Sequence, residues 1–451
     1  MRLASIQIMR GLAALLVTLY HVRALETLAI ADSGLVLTTT GLPEPGLMSG
    51  LWGNGFIGVD LFFVISGFIM VYVTRDLAQG WRPVASFLFA RASRIYPLWW
   101  LFASIMALYF LYAYGAPVDA AQAASSGQSN LEHLLKSYLL VPQSVFPVLG
   151  VGWTLVHEMY FYFVFAAALA LPRRWLPYVL AVWGACVVAG SLGGLSGPFA
   201  IDYPALIFYP MTIEFVLGAF AGLLVASGRI WKPATLIIIG AVWLAAVMQL
   251  VPTPEGHGAE WTDFILQWGR VLIYGVPSAL IIYAVAGLEV ENRMRVLFPA
   301  FAAAFGFVLG AVLVGDGAAR VWPVLAGLVG AVLFGGAITY FSREGGAWMK
   351  RSEDVLVTIG DWSYSIYLCH MLVLSALRRV LPSAANFGEA RLGLPESAMD
   401  VLRLGSAGLW DNLLFLVVSV AVTLAVSWAS YRFFERPLTR RLGMFRRRIT
   451  A

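Results

Sequence analysis

Residues 56–74 read FIGVDLFFVISGFIMVYVT, nineteen positions that carry one charge, Asp60. As a helix they rise about 28 Å, enough to cross a hydrocarbon core of about 30 Å. Runs of the same kind recur along the chain, and composition agrees with them. The protein is 60% hydrophobic and 12% charged, with a mean hydropathy of +0.80. A soluble globular chain carries about twice that charged fraction, so the apolar excess must face lipid. The expectation is an all-α, polytopic transmembrane bundle of about ten to twelve spans. Their positions are 4–25, 56–74, 95–114, 152–171, 176–194, 205–226, 232–251, 264–287, 297–315, 321–341, 356–378 and 411–434.

Lys and Arg orient these spans. Alternate loops and ends carry twenty of them on one side and six on the other, which puts both termini in the cytoplasm by the positive-inside rule. The net charge of +5 is therefore read as orientation and not as a nucleic-acid surface. Arg10 interrupts the first apolar run and no small-residue cleavage site follows, so Met1–Ala24 reads as a retained span. The segments 26–55, 115–151 and 379–410 fall outside, with a short interfacial helix expected within Asn130–Ser144. Residues 1–437 read as one transmembrane domain, and 438–451 as a basic tail that anchors at the anionic inner leaflet. Cys186 and Cys369 both sit in apolar runs; neither a disulfide framework nor metal-ligand spacing is present, and no metal is expected.

A charge inside a span is a candidate functional group. Arg10, His21, Asp60, His157, Glu158, Glu214, Arg270 and His370 qualify. Arg10 and His21 are eleven residues apart on one helix, about 16 Å and about 3.06 turns, so they share a face. Counted from the span ends, Asp60, Glu158, Arg270 and His370 fall in the outer half of the membrane, as a water-accessible site would require, and Glu214 falls deeper. Asp60 and Arg270 are equally readable as a structural ion pair. His370 is equally readable as a structural hydrogen-bonder, and His157 and Cys369 are better read as packing residues. His157 points about 100° away from Glu158, so at most one of the two faces a given site.

These residues stand in motifs. Ile8-Met9-Arg10-Gly11-Leu12-Ala13-Ala14 leads to His21, and Gly58-Val59-Asp60-Leu61-Phe62-Phe63-Val64-Ile65-Ser66-Gly67-Phe68 fills the second span. Arg91-Ala92-Ser93-Arg94-Ile95-Tyr96-Pro97 and Trp153-Thr154-Leu155-Val156-His157-Glu158 come next. Phe215-Val216-Leu217-Gly218, Tyr364–His370 and Tyr431–Pro437 complete the order. Together they resemble the acyltransferase family 3 membrane proteins, most of all the stand-alone exopolysaccharide O-acetyltransferases of the succinoglycan type. That family usually has about ten spans, so Phe298–Phe341 stands out as an extra pair.

The resemblance implies a cytoplasmic acyl-CoA donor (acetyl-CoA in the first place), a glycan or lipid-linked sugar as acceptor, and a place in the bacterial inner membrane. The chemistry then needs a base near neutrality, a donor for the thioester oxygen and a basic cradle for phosphates. His21 is the expected base, with Glu158 orienting it or binding acceptor hydroxyls. Asp60 and His370 are further catalytic candidates. Arg91, Arg94 and Arg10 are expected at the coenzyme phosphates, although Arg91 and Arg94 also fit simple cytoplasmic anchoring. Tyr364, Ser365 and Trp153 are acceptor-binding candidates. The competing reading is a transporter or flippase, against which stands the lack of a half-to-half repeat.

Overall fold

The structure is a computed structural model that describes residues 3–32, 54–196, 203–250, 264–314, 321–341, 346–404 and 409–450. Its regular elements are helical. In chain order they are α1 (Ala4–Asp32), α2 (Ile57–Val73), α3 (Trp81–Tyr114), α4 (Ala120–Ser125), α5 (Asn130–Leu139), α6 (Trp153–Leu169) and α7 (Leu176–Leu192). Then come α8 (Tyr203–Ile207), α9 (Thr212–Ala226), α10 (Pro233–Leu250), α11 (Phe264–Arg270), α12 (Val276–Val290), α13 (Leu297–Val314) and α14 (Val321–Phe341). The last five are α15 (Gly346–Asp361), α16 (Ser363–Leu392), α17 (Glu396–Met399), α18 (Leu409–Ser430) and α19 (Arg436–Thr450). Each of the twelve expected spans has a helical counterpart. Among the described residues seven helical stretches are long and apolar enough to cross a membrane, and three shorter apolar helices accompany them. Most of the segment 26–55 lies outside the described residues, as do Arg2, Arg320 and Arg343.

Several helices outrun their expected bounds. α3 begins at Trp81 and not at Ile95, because Arg91 and Arg94 continue the helix and do not end it. Its last turn closes on Gly115, whose φ of +75° lets its N–H reach the Leu111 carbonyl. α16 runs on to Leu392. The 115–151 segment folds onto the bundle. There Ser129 caps α5 by accepting from the Glu132 N–H at 3.1 Å, a Ser-x-x-Glu start. The C-terminal carbonyls of α5, which a helix leaves without internal donors, accept from α3: Trp99 Nε1 to Ser137 O, Trp100 Nε1 to Tyr138 O and Tyr96 Oη to Leu139 O, at 3.0, 3.0 and 2.9 Å. Burial pushes the His133 imidazole below its ordinary value, and its Nε2 lies 3.0 Å from the Phe146 carbonyl.

Lipid offers no water to exposed peptide groups and no hydrophobic drive between helices, so close backbone contact has to supply adhesion. Glycines permit it at the crossing of α2 and α9. A Cβ on Gly218 would lie 1.9 Å from the Val64 carbonyl oxygen, and one on Gly67 1.9 Å from that of Phe215. α1 and α15 meet the same way at Gly11 and Gly360, and the α13–α14 hairpin at Gly306 and Gly330. The N-terminus of α1 is capped from α12: Glu289 accepts from the Ala4 and Ser5 N–H groups, both at 2.8 Å.

Helix ends do not lie in one plane. Gly55, just before α2, abuts the Leu16 carbonyl of α1, and Trp99 of α3 packs on Gly152 at the head of α6. α1, α3 and α16 therefore overhang the shorter α2 and α6. Gly218→Leu is expected to abolish folded protein in detergent, whereas Gly336→Ala, where a Cβ meets nothing within 4 Å, should keep or raise the thermal midpoint, the helix-propensity gain being roughly 1 kcal/mol.

Candidate active site

The overhang brings α1 against α16, and two histidines meet there. His370 Nε2 lies 3.3 Å from His21 Nδ1. Each ring also faces a carbonyl one turn back on its own helix: His21 Nδ1 is 2.9 Å from Val17 O, and His370 Nδ1 is 3.1 Å from Ile366 O. A carbonyl only accepts, so each Nδ1 carries its hydrogen. His370 Nε2 then accepts from His21 Nδ1–H, and His21 Nε2 is the nitrogen left with a lone pair.

About 16 Å along the same stripe, Arg10 is nearly buried and lines two joined cavities. The inner one is a narrow cavity of about 80 Å³ walled by α1, α2, α3, α6 and α16. Polar groups converge in it: Glu158 accepts from Ser66 Oγ at 3.2 Å and from the Tyr162 hydroxyl, and the walls include Arg10, Arg91 and Arg94. Phe62, Phe63, Ile65, Met70 and Leu155 supply its apolar side. The outer one, about 510 Å³, shares Arg10, Arg91 and Arg94 and adds Arg436 and Arg440 against Asp361 and Glu435. Arg91 lies over the rings of Phe87 and Tyr162, at 5.5 and 5.8 Å.

Tyr367 separates the inner cavity from the histidines. It lines the cavity, and its ring centroid is 5.9 Å from that of His370 and 5.6 Å from that of Phe62. Its hydroxyl lies 2.7 Å from Thr154 Oγ1 and 3.0 Å from the Val151 carbonyl oxygen.

The remaining candidates fall into several settings. Asp60 and Arg270 form a bidentate pair, both bonds 2.9 Å, with Asp60 fully buried, so their geometry is that of a structural ion pair. Glu214 is also fully buried, and Gly275 leaves the room its Cγ needs. Glu158 stands on the arginine side of Tyr367, with Ser66 and Tyr162, and His21 stands on the other side with His370. Counting from span ends puts Glu158 in one layer with His370, whereas the structure sets the Tyr367 ring between Glu158's cavity and the histidine pair. Tyr364 lines the cavity while its hydroxyl donates to Ile95 O at 2.8 Å. Ser365 donates to Glu435 at 2.7 Å, toward the outer cavity. Trp153 packs edge-on to His157, which is enclosed by Phe63, Phe161 and Tyr209 as well. Cys369 is buried with its Sγ 3.2 Å from Ser427 Oγ.

Sequence reasoning missed Tyr162, Ser66, Thr154 and Tyr367. Tyr162 was findable, since it sits four residues after Glu158 and hence on the same helix face; Ser66 was not, because only helix packing brings it to Glu158.

The model of the acyltransferase 3 family, described as an acyltransferase domain, matches residues 3–293 and 287–432. The chain belongs to the acyltransferase 3 family. Among curated relatives, the exopolysaccharide production protein ExoZ of Rhizobium meliloti (strain 1021) is 38% identical over 185 residues, 39% of this chain and 53% of its own. Protein 2 in picA locus of Rhizobium radiobacter is 30% identical over 118 residues, 24% of this chain and 62% of its own. The acyltransferase MdmB of Streptomyces mycarofaciens is 26% identical over 438 residues, 92% of this chain and 90% of its own. The alignments thus span little more than half the length of the first two relatives. No solved structure matches the chain. The acyltransferase 3 match takes in both histidines and the inner cavity but stops short of Arg436 and Arg440.

The Asp60–Arg270 geometry sets a stability test. Asp60→Ala removes the bidentate partner of a buried guanidinium and should cost about 3–5 kcal/mol. Asp60→Leu combined with Arg270→Met should regain much of the loss, read as the thermal midpoint in detergent.

Proposed function

We propose that this acyltransferase 3 protein is a membrane O-acyltransferase that moves an acyl group, acetyl in the first place, from cytoplasmic acyl-CoA to a hydroxyl of an exported or cell-envelope glycan. The bacterial inner membrane is its proposed site, with both termini cytoplasmic. One observation carries the reading: Tyr367 lines a cavity that also carries Arg10, Arg91 and Arg94, and the same ring packs against His370 of the histidine pair. The names of ExoZ and MdmB support it, the first by its link to exopolysaccharide production and the second as an acyltransferase.

In this reading Arg10, Arg91 and Arg94 hold the coenzyme phosphates, for which guanidinium forks are suited. The pantetheine arm enters the inner cavity and carries the thioester toward Tyr367. The cavity's apolar side chains shield the acyl group from water. The acceptor hydroxyl approaches from the overhang side and gives its proton to His21 Nε2 as its oxygen attacks the thioester carbon. The carbon–sulfur bond then breaks, and the imidazolium returns the proton to the coenzyme sulfur. His370 is a positioning residue: by accepting from Nδ1–H it keeps His21 Nε2 in its basic form and favours the imidazolium that results. The hydroxyls of Thr154 and Tyr367, at the closed end, are the nearest donors for the charge that develops on the thioester oxygen.

Glu158 is assigned to the donor side. One carboxylate among three guanidiniums holds the cradle together between turnovers, and Ser66 and Tyr162 fix its position. Asp60 and Arg270 are proposed to act through the fold and not through the reaction.

The variants separate these roles. His21→Ala should lower kcat by about 10²–10⁴-fold, the usual worth of a general base, in protein that still elutes as a folded species. His370→Phe should lower kcat with little change in donor KM. Arg91→Ala with Arg94→Ala should do the reverse, raising donor KM about tenfold or more. Thiol release from acetyl-CoA in membranes, with mass spectrometry of the glycan, reads all three; near-normal turnover by His21→Ala would remove that imidazole from the chemistry.

A further inference from the structure

The last helix offers more than attachment to a lipid surface. We infer that Arg436 and Arg440 of α19 bind the nucleotide end of the acyl-CoA donor, taking its 3′-phosphate at the lip of the outer cavity while Arg10, Arg91 and Arg94 take the diphosphate at the neck. The inference rests on the acyl-CoA reading above and adds residues beyond the family match, which ends at residue 432.

Placement is the first support. Arg436, Thr439 and Arg440 all line the outer cavity; spacings of three and four put them on one helix face. Both arginines are exposed, as a lip requires. α19 is also held in register with the neck: Phe445 packs on Phe89, 6.1 Å between centroids, on the helix that bears Arg91 and Arg94. The five guanidiniums therefore belong to one frame.

Charge is the second support. Five arginines line this cavity against two carboxylates, Asp361 and Glu435, and Glu435 already accepts from Ser365. An excess of like charge around one hollow is unfavourable unless water or an anion screens it, and an anion does so at shorter range. A ligand with three phosphate groups, two of them adjacent and one set apart, matches three cations at a neck and two at a lip. The wide turn at Tyr431–Glu435 is the third support. One extra residue in a turn rotates the rest of the helix by about 100°, which aims Arg436 and Arg440 at the cavity while Arg432 lies over Trp428 on another face.

The test compares donors in purified full-length protein. Acetyl-CoA and acetyl-dephospho-CoA, which lacks only the 3′-phosphate, are assayed with wild type, with Arg436→Gln plus Arg440→Gln, and with Arg441→Gln, an exposed arginine of the same helix outside the cavity lining. The double variant should raise the KM for acetyl-CoA about tenfold or more, keep kcat, and leave the KM for acetyl-dephospho-CoA unchanged; Arg441→Gln should change neither. In wild type, free CoA should raise the thermal midpoint more than dephospho-CoA does, a readout that needs no variant to fold. Equal KM penalties on both donors, an equal effect of Arg441→Gln, or equal thermal shifts would each overturn the assignment while leaving acyl-CoA as donor. No turnover and no CoA-induced shift in wild type would overturn both readings.

Discussion

A charge placed in hydrocarbon must meet a counter-charge or stand in water, and that constraint sorts the ionisable groups of this bundle into two kinds. Asp60 and Arg270 satisfy each other through both forks of the guanidinium, a closed arrangement that leaves neither group for a ligand. Arg10, Arg91 and Arg94 are arranged otherwise. They share the inner cavity wall with Glu158, whose oxygens also take the hydroxyls of Ser66 and Tyr162, and in the outer cavity they face Asp361 and Glu435. Their surplus charge is tolerable only because the outer cavity admits water or an anion. The same physical rule thus makes one cluster a closed pair and leaves the other facing the cavity that the proposed donor would fill.

α1 acts as the rail between the two halves of the site. Its stripe carries Arg10 into the cavities and His21 to the partner imidazole, and its N-terminal part is held by Glu289 and by the backbone contact at Gly11. Between those points stands an aromatic layer of Phe62 and Tyr367. That layer stands between the inner cavity and the histidine pair. Transfer across it requires Tyr367 to yield, and its hydroxyl is tied by two hydrogen bonds that another acceptor or donor can replace.

Much of this was legible beforehand, for definite reasons. Apolar runs the length of a bilayer mark their helices whatever the tertiary fold, and eleven residues between Arg10 and His21 make nearly whole turns, so one helix alone decides that they share a face. The Asp60–Arg270 pair was one of two readings that the sequence left open. Depth was less legible. Counting inward from span ends placed Glu158 and His370 in the same layer, but the ends are not coplanar: α6 begins beside Trp99, and α16 continues fourteen residues past the expected stop at 378. The start of α3 was hidden because Arg91 and Arg94 read as a loop, when a helix face lining a polar cavity carries the same charges.

Register was hidden at two further places by one device. A wide π turn spans Val271–Gly275 and another spans Tyr431–Glu435, and each has a proline two residues beyond it, Pro277 and Pro437. Proline has no N–H to give the carbonyl four residues back, and its ring collides with that carbonyl. The carbonyls concerned, of Ile273 and Phe433, lie inside the wide turns, where an i→i+5 path gives them room. The helix continues, but its faces shift by about a quarter turn. Arg270 stands at the edge of the first shift and reaches Asp60; Glu435 closes the second and reaches Ser365. A periodicity of 3.6 drawn through either stretch assigns the residues beyond it to the wrong face. The two prolines, read for their effect on the carbonyl behind them, are the signal by which sequence alone could have found where the pattern turns.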